Sequence, residues 1–137
     1  MSQPRDARHG TVLFAHGSRD PAWAAPIEAV AARMRSLAPG TLVRCAYLEL
    51  TSPDLPTVVQ ALIDEGARAL TVWPMFLGVG RHAREDLPRL VAELRLRHPD
   101  VPIHLQPAMG EHPAVLETMA RTALSGPSPR SVRPNTA

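Results

Sequence analysis

Three residues that can hold a metal or accept a proton recur at one interval. Glu49 lies 33 residues after His16, and His82 lies 33 after Glu49. Two imidazoles and a carboxylate are a ligand set for a borderline divalent ion such as Fe2+, Co2+, Ni2+ or Zn2+. So few protein ligands leave coordination positions open, which suits catalysis or transient holding better than a structural role. Taken singly, each residue has a plainer reading. His16 can satisfy a backbone group, Glu49 can be a solvated or capping carboxylate, and His82 can be a surface histidine in a glycine-rich loop. Ser18 and Arg19 follow His16 directly. Ser18 is not in a Gly-x-Ser-x-Gly setting, so it reads as a loop hydroxyl or an anion contact near a helix start rather than a nucleophile. Gly78 and Gly80 lack the third glycine of a dinucleotide fingerprint. His9, His98, His104 and His112 share no phase and read as surface, cap or strand residues.

The elements that must position these residues form four strand-helix units. The first strand is the apolar run from Thr11 to Ala15, and Asp20-Pro21 opens the first helix. That helix shows Trp23, Ile27, Val30, Met34 and Leu37 at helical spacing. A second strand, about Leu42 to Leu48, leads through Glu49 to a helix capped by Ser52, with Pro53 at its first position. Leu55, Val58, Val59, Leu62 and Ile63 form the apolar face of that helix. The third strand, Ala69 to Phe76, feeds the loop from Leu77 to His82. Pro88 predicts that the following helix starts near Asp86, leaving His82 in or beside the preceding turn. A fourth strand, about Val101 to Gln106, precedes a helix opened by His112-Pro113 with Val115, Leu116, Met119 and Ala123 inward. Right-handed crossovers then predict an α/β fold, a four-stranded parallel sheet in the order 2-1-3-4 with helices on both faces. His16, Glu49 and His82 fall at equal phase in successive units, at the carboxyl edge of the strands, where open parallel sheets bind ligands.

Composition narrows the function classes. At 137 residues and 45% apolar, the chain suits one domain with one core. We expect a disordered leader over 1–10, a folded domain over 11–124, and a disordered Pro/Ser/Arg tail over 125–137. The folded stretch holds 11 Arg against 12 Asp and Glu, so the overall charge of +2 resides in the ends. With only five aromatics and no basic stripe, a nucleic-acid partner is not expected. No apolar run approaches a membrane span. The single cysteine, Cys45, reads as a small core residue, and a cytoplasmic location is expected.

Four blocks carry a resemblance to a known family: Leu13-Phe14-Ala15-His16-Gly17-Ser18-Arg19-Asp20-Pro21; Ala46-Tyr47-Leu48-Glu49-Leu50 with Ser52-Pro53-Asp54-Leu55; Pro74-Met75-Phe76-Leu77-Gly78-Val79-Gly80-Arg81-His82; and Asp86-Leu87-Pro88. Together the chain resembles the small CbiX-type class II chelatases, the sirohydrochlorin cobaltochelatases and their ferrochelatase relatives. The resemblance implies a chelatase-like (flavodoxin-like) fold and insertion of Co2+ or Fe2+, with Ni2+ as a third candidate, into sirohydrochlorin for cobalamin or siroheme synthesis. The metal is then a substrate, and no organic cofactor is implied. His16 and His82 are implied as metal ligands and His16 also as proton acceptor, with Glu49 and the loop Leu77, Gly78, Val79, Gly80, Arg81 facing the macrocycle. The larger family members have two such domains around one cleft, so a homodimer is implied here. Arg19, Arg81 and Arg84 are candidates to pair with the macrocycle's carboxylates, and Met75, Phe76, Leu77 and Val79 to form an apolar wall. Arg81 and Arg84 flanking His82 depart from the family pattern and leave the metal open. Two other readings stand beside the enzyme: a metal or tetrapyrrole carrier with the same fold, and a phosphate binder at Gly17-Ser18.

Overall fold

A computed structural model describes residues 8–127. Four parallel strands are hydrogen-bonded in the predicted order: β2 (Leu42–Tyr47), β1 (His9–Ala15), β3 (Ala69–Pro74) and β4 (Ile103–Leu105). Phe14 stands between Ala46 and Pro74, and Val72 pairs with Leu105. The helices are α1 (Ala25–Leu37), α2 (Leu55–Asp64), α3 (Arg81–Arg97) and α4 (Pro113–Leu124). Short 3-10 turns precede α1 and α4, at Pro21–Ala24 and Met109–Glu111.

Strand pleating divides the core in two. Val12, Phe14, Leu70 and Val72 point to one face, where Leu55, Val59 and Leu62 of α2 and Leu87, Val91 and Leu94 of α3 cover them. Leu13, Ala15, Val43, Cys45 and Tyr47 point to the other face, under Ile27, Ala31 and Met34 of α1. The central strand β1 is buried on both sides, as its unbroken apolar run requires.

Several element boundaries differ from expectation, each for a local reason. β1 starts at His9, so the end of the expected leader is strand. Residues 1–7 and 128–137 lie outside the described residues, and with them most of the expected leader and tail. Ala24 of the preceding 3-10 turn and Ile27, Ala31 and Met34 of α1 meet the sheet, while Trp23 of that turn and Val30 and Leu37 of α1 are exposed. Alanines take part in the contact, and the facing row is shifted one residue from the bulkiest side chains. The cap of α2 is Asp54, whose carboxylate accepts from Thr57 N–H at 2.9 Å, rather than Ser52. The Pro53 carbonyl accepts from Tyr47 N–H at 2.9 Å, which keeps residues 52 and 53 in the loop.

The largest shift is in α3, which begins at Arg81 with Gly80 at its cap and runs through Pro88. The proline ring lies on the exposed side, while Ala83, Leu87, Leu90, Val91 and Leu94 pack along the other side on both sides of it. Tertiary burial thus outweighs the lost backbone hydrogen bond. His82 is therefore in the first turn of α3. In α4 the expected inward residues are not buried: Val115 is half-buried, and Leu116, Met119 and Ala123 are exposed.

Candidate active site

The loops after β1 and β2 are joined at the carboxyl edge of the sheet. Leu48 N–H donates to Ala15 O at 2.8 Å, and Glu49 N–H donates to His16 O at 2.9 Å. Thr51 completes the join. Its Oγ1 accepts from Ser18 N–H at 2.9 Å and donates to Ser18 O at 2.8 Å. Gly17 makes this contact possible. It has φ +98°, and a Cβ there would stand 1.7 Å from the Glu49 carbonyl oxygen. Thr51 had no sequence signal beyond a hydroxyl residue in a loop, because its partner lies 33 residues away.

His16 leaves the end of β1 exposed, with its ring stacked on Phe76 at 4.2 Å between centroids and 25° between planes. Phe76 is itself only 8% exposed, so it is a fixed platform that limits the rotation of the imidazole. The segment after β3 is anchored in turn by Met75 N–H to Phe14 O at 2.7 Å and by Gly110 N–H to Phe76 O at 2.9 Å. Gly110 is required there, since a Cβ would meet the Leu77 backbone at 2.4 Å. A pocket of about 210 Å3 opens beside the platform, between Leu48 and α3, and includes Phe76, Ala83, Leu87 and Leu90 in its lining.

The predicted residues lie at this edge in different surroundings. Glu49 is exposed in the β2 loop, and His82 is exposed in the first turn of α3. His16, Glu49 and His82 do not gather into one ligand cluster: among the described residues no three His, Cys, Asp or Glu side chains are placed to hold a metal ion together. Ser18 Oγ accepts from Asp20 N–H at 3.1 Å, a turn role, while Arg19 is exposed. Arg81 is paired with Glu85 at 3.7 Å, a solvent-exposed contact of small worth. Gly78 and Gly80 have open space where a Cβ would be, and Gly80 has φ −66°, so the freedom of glycine is not used at either position. Met75 and Phe76 pack inward, Phe76 while also lining the pocket beside His16, and Val79 is half-buried against the core. The apolar side chains standing free are Leu48 at 39%, Leu50 at 57% and Leu77 at 73% exposed.

Away from the edge, burial and the neighbouring Glu28 carboxylate push the Cys45 thiol up to about 12. It is a packed core group and not a nucleophile. Tyr47 is likewise pushed up, first by burial and then by its hydrogen bond to Glu28, at 2.9 Å.

Parallel strands in the order 2-1-3-4, with His16 after β1 and His82 in the first turn of α3, are the arrangement expected of a chelatase-like domain. A model of the CbiX family matches residues 10–125, and the chain belongs to that family. It is 31% identical to a sirohydrochlorin cobaltochelatase of Methanococcus maripaludis over 80 residues, 58% of this chain and 56% of that protein. The chain spans between 56% and 61% of the length of that relative and of two other curated sirohydrochlorin cobaltochelatases. A solved CbiX protein of Marinobacter aquaeolei, described as a putative cobalamin biosynthesis protein, superposes with TM-score 0.73 at 33% identity, over 85% of this chain and 94% of that one. The sirohydrochlorin chelatase SirB of Bacillus subtilis in complex with cobalt shares the fold with TM-score 0.72 at 22% identity, over 86% of this chain and 50% of that one. No helix among the described residues is long and apolar enough to cross a membrane.

Proposed function

We propose that this chain inserts a divalent metal, Co2+ or Fe2+, into sirohydrochlorin. The observation that carries the reading is the exposed His16 imidazole, stacked on Phe76 at the carboxyl edge of a CbiX-family sheet. Insertion exchanges one metal ion for two pyrrole N–H protons. A neutral imidazole can deliver the ion and can also accept a proton, so His16 takes both parts, with His82 as second metal contact. Glu49 receives the second proton, a reading supported by the bond from its backbone N–H to His16 O, which ties the two loops together. Arg19 and Arg81 meet the carboxylates of the macrocycle, and the weak Arg81–Glu85 pair is readily exchanged for them. Leu77 to Gly80, with Ser18, complete the substrate-facing rim. The site is finished by a second copy of this chain, since the SirB chain that shares this fold is about twice as long. The reaction takes place in the cytoplasm, and its product serves cobalamin or siroheme synthesis.

The test is anaerobic incubation of the protein with sirohydrochlorin and Co2+ or Fe2+, followed by the visible spectrum of the macrocycle. Insertion above the spontaneous rate should fall by about 100-fold in His16→Ala, and should fall in His82→Ala as well. Rates equal to the uncatalysed one in all three proteins would overturn the proposal. Glu49→Gln separates an enzyme from a carrier: the enzyme loses insertion while a carrier retains bound metal.

A further inference from the structure

Leu50 is the one described non-glycine residue with positive φ, at +63°. Thr51 N–H donates to Glu49 O at 2.7 Å, so residues 49–51 form a three-residue turn with Leu50 at its centre. With positive φ at that centre, this is the rare and strained form of such a turn. A β-branched or bulky residue is disfavoured there, and glycine or asparagine would relieve the strain. Burial does not compensate, because the Leu50 side chain is 57% exposed. The fold thus holds an apolar side chain in water on a strained backbone, at a turn clamped from both sides. Glu49 is tied to His16, and Thr51 is tied twice to Ser18. Strain that the surroundings over-determine is found at functional sites.

We infer that Leu50 is a substrate-contact residue, presented by the strained turn to the apolar face of a flat macrocycle whose centre lies at His16. This rests on the proposed function and deepens it. The clamps fix the Leu50 backbone relative to the His16 backbone, so the contact sets where the ring sits as well as how tightly it is held. Exposed Leu48 lines the same surface depression as Leu50.

Two variants separate contact from strain. Leu50→Gly removes the side chain and relieves the turn; Leu50→Ala removes the side chain and keeps the strain. Both should raise KM for sirohydrochlorin about tenfold, the worth of one partly buried leucine contact, with kcat changed less than threefold. Only Leu50→Gly should unfold at higher temperature than the wild type. Binding of metal-free sirohydrochlorin, followed by its absorbance, gives the same comparison without insertion. Unchanged KM and unchanged macrocycle binding in both variants would overturn the role of Leu50 while leaving the proposed function intact. A wild type that binds the macrocycle without inserting metal would overturn the insertion reading, and Leu50 would then be judged by the binding comparison. A wild type that does not bind the macrocycle overturns both.

Discussion

Gly17 and Thr51 show how two residues outside the proposed set of ligands and proton acceptors fix the backbone of residues within it. The Glu49 carbonyl lies where a Gly17 side chain would begin, and the Thr51 hydroxyl both accepts from and donates to the Ser18 backbone. Gly17→Ala meets two penalties together, a left-handed φ and a 1.7 Å overlap with backbone. Backbone cannot swing aside as a flexible side chain would. The variant should lose at least about 2 kcal/mol of stability by urea unfolding. Its insertion rate should fall further than the folded fraction accounts for, because the loops of His16 and Glu49 separate. Full activity per folded molecule would show that the join is structural only.

At the scale of elements, the cap of α2 gives a pH-dependent test. Hydrogen bonds from Thr57, through its side chain first and its backbone N–H second, hold the Asp54 carboxyl below its ordinary value of 3.8. A lowered folded value means that the cap contributes stability above about pH 4, and that this is lost as pH falls through the folded value. Asp54→Ala should cost about 1 kcal/mol at neutral pH. The gap to wild type should close in acid, and urea unfolding at pH 7 and pH 3 measures both. An equal gap at the two pH values would assign the loss to something other than the charged cap. The sequence already carried the sheet order and the shared edge of His16, Glu49 and His82, because apolar runs and βα spacing are local signals. It misplaced the start of α3 because Pro88 is a breaker by propensity and is tolerated only through packing that no local window contains. It named Ser52 as the cap because Ser52 and Asp54 are both good caps, and the choice is made by a bond from Tyr47 in the strand. The Thr51 clamp was invisible for the same reason, since Ser18 comes from another loop, and no local signal marks the positive φ of Leu50.

At the scale of the whole molecule, α4 has the composition of a packed helix without the packing. It carries Leu116 at 56% and Met119 at 38% exposed, and none of its residues is buried within the chain. Its first turn is nonetheless well made, with Pro113 at the start and His112 Nδ1 accepting from Ala114 N–H at 3.1 Å. A well-capped helix with an open apolar stripe fits the second copy that the proposed function requires, in a symmetric pair where the same surface serves both chains. Sedimentation should therefore give about twice the chain mass of 14.9 kDa for the wild type. Leu116→Asp combined with Met119→Asp should give the single-chain mass. The fold by circular dichroism should be unchanged, because neither side chain belongs to the core. Metal insertion by the double variant should drop with the dimer and recover partly at high protein concentration, as mass action restores the pair. A wild type that sediments as one chain while inserting metal at full rate would place the whole site within a single copy and leave the exposed face of α4 unconnected to the chemistry.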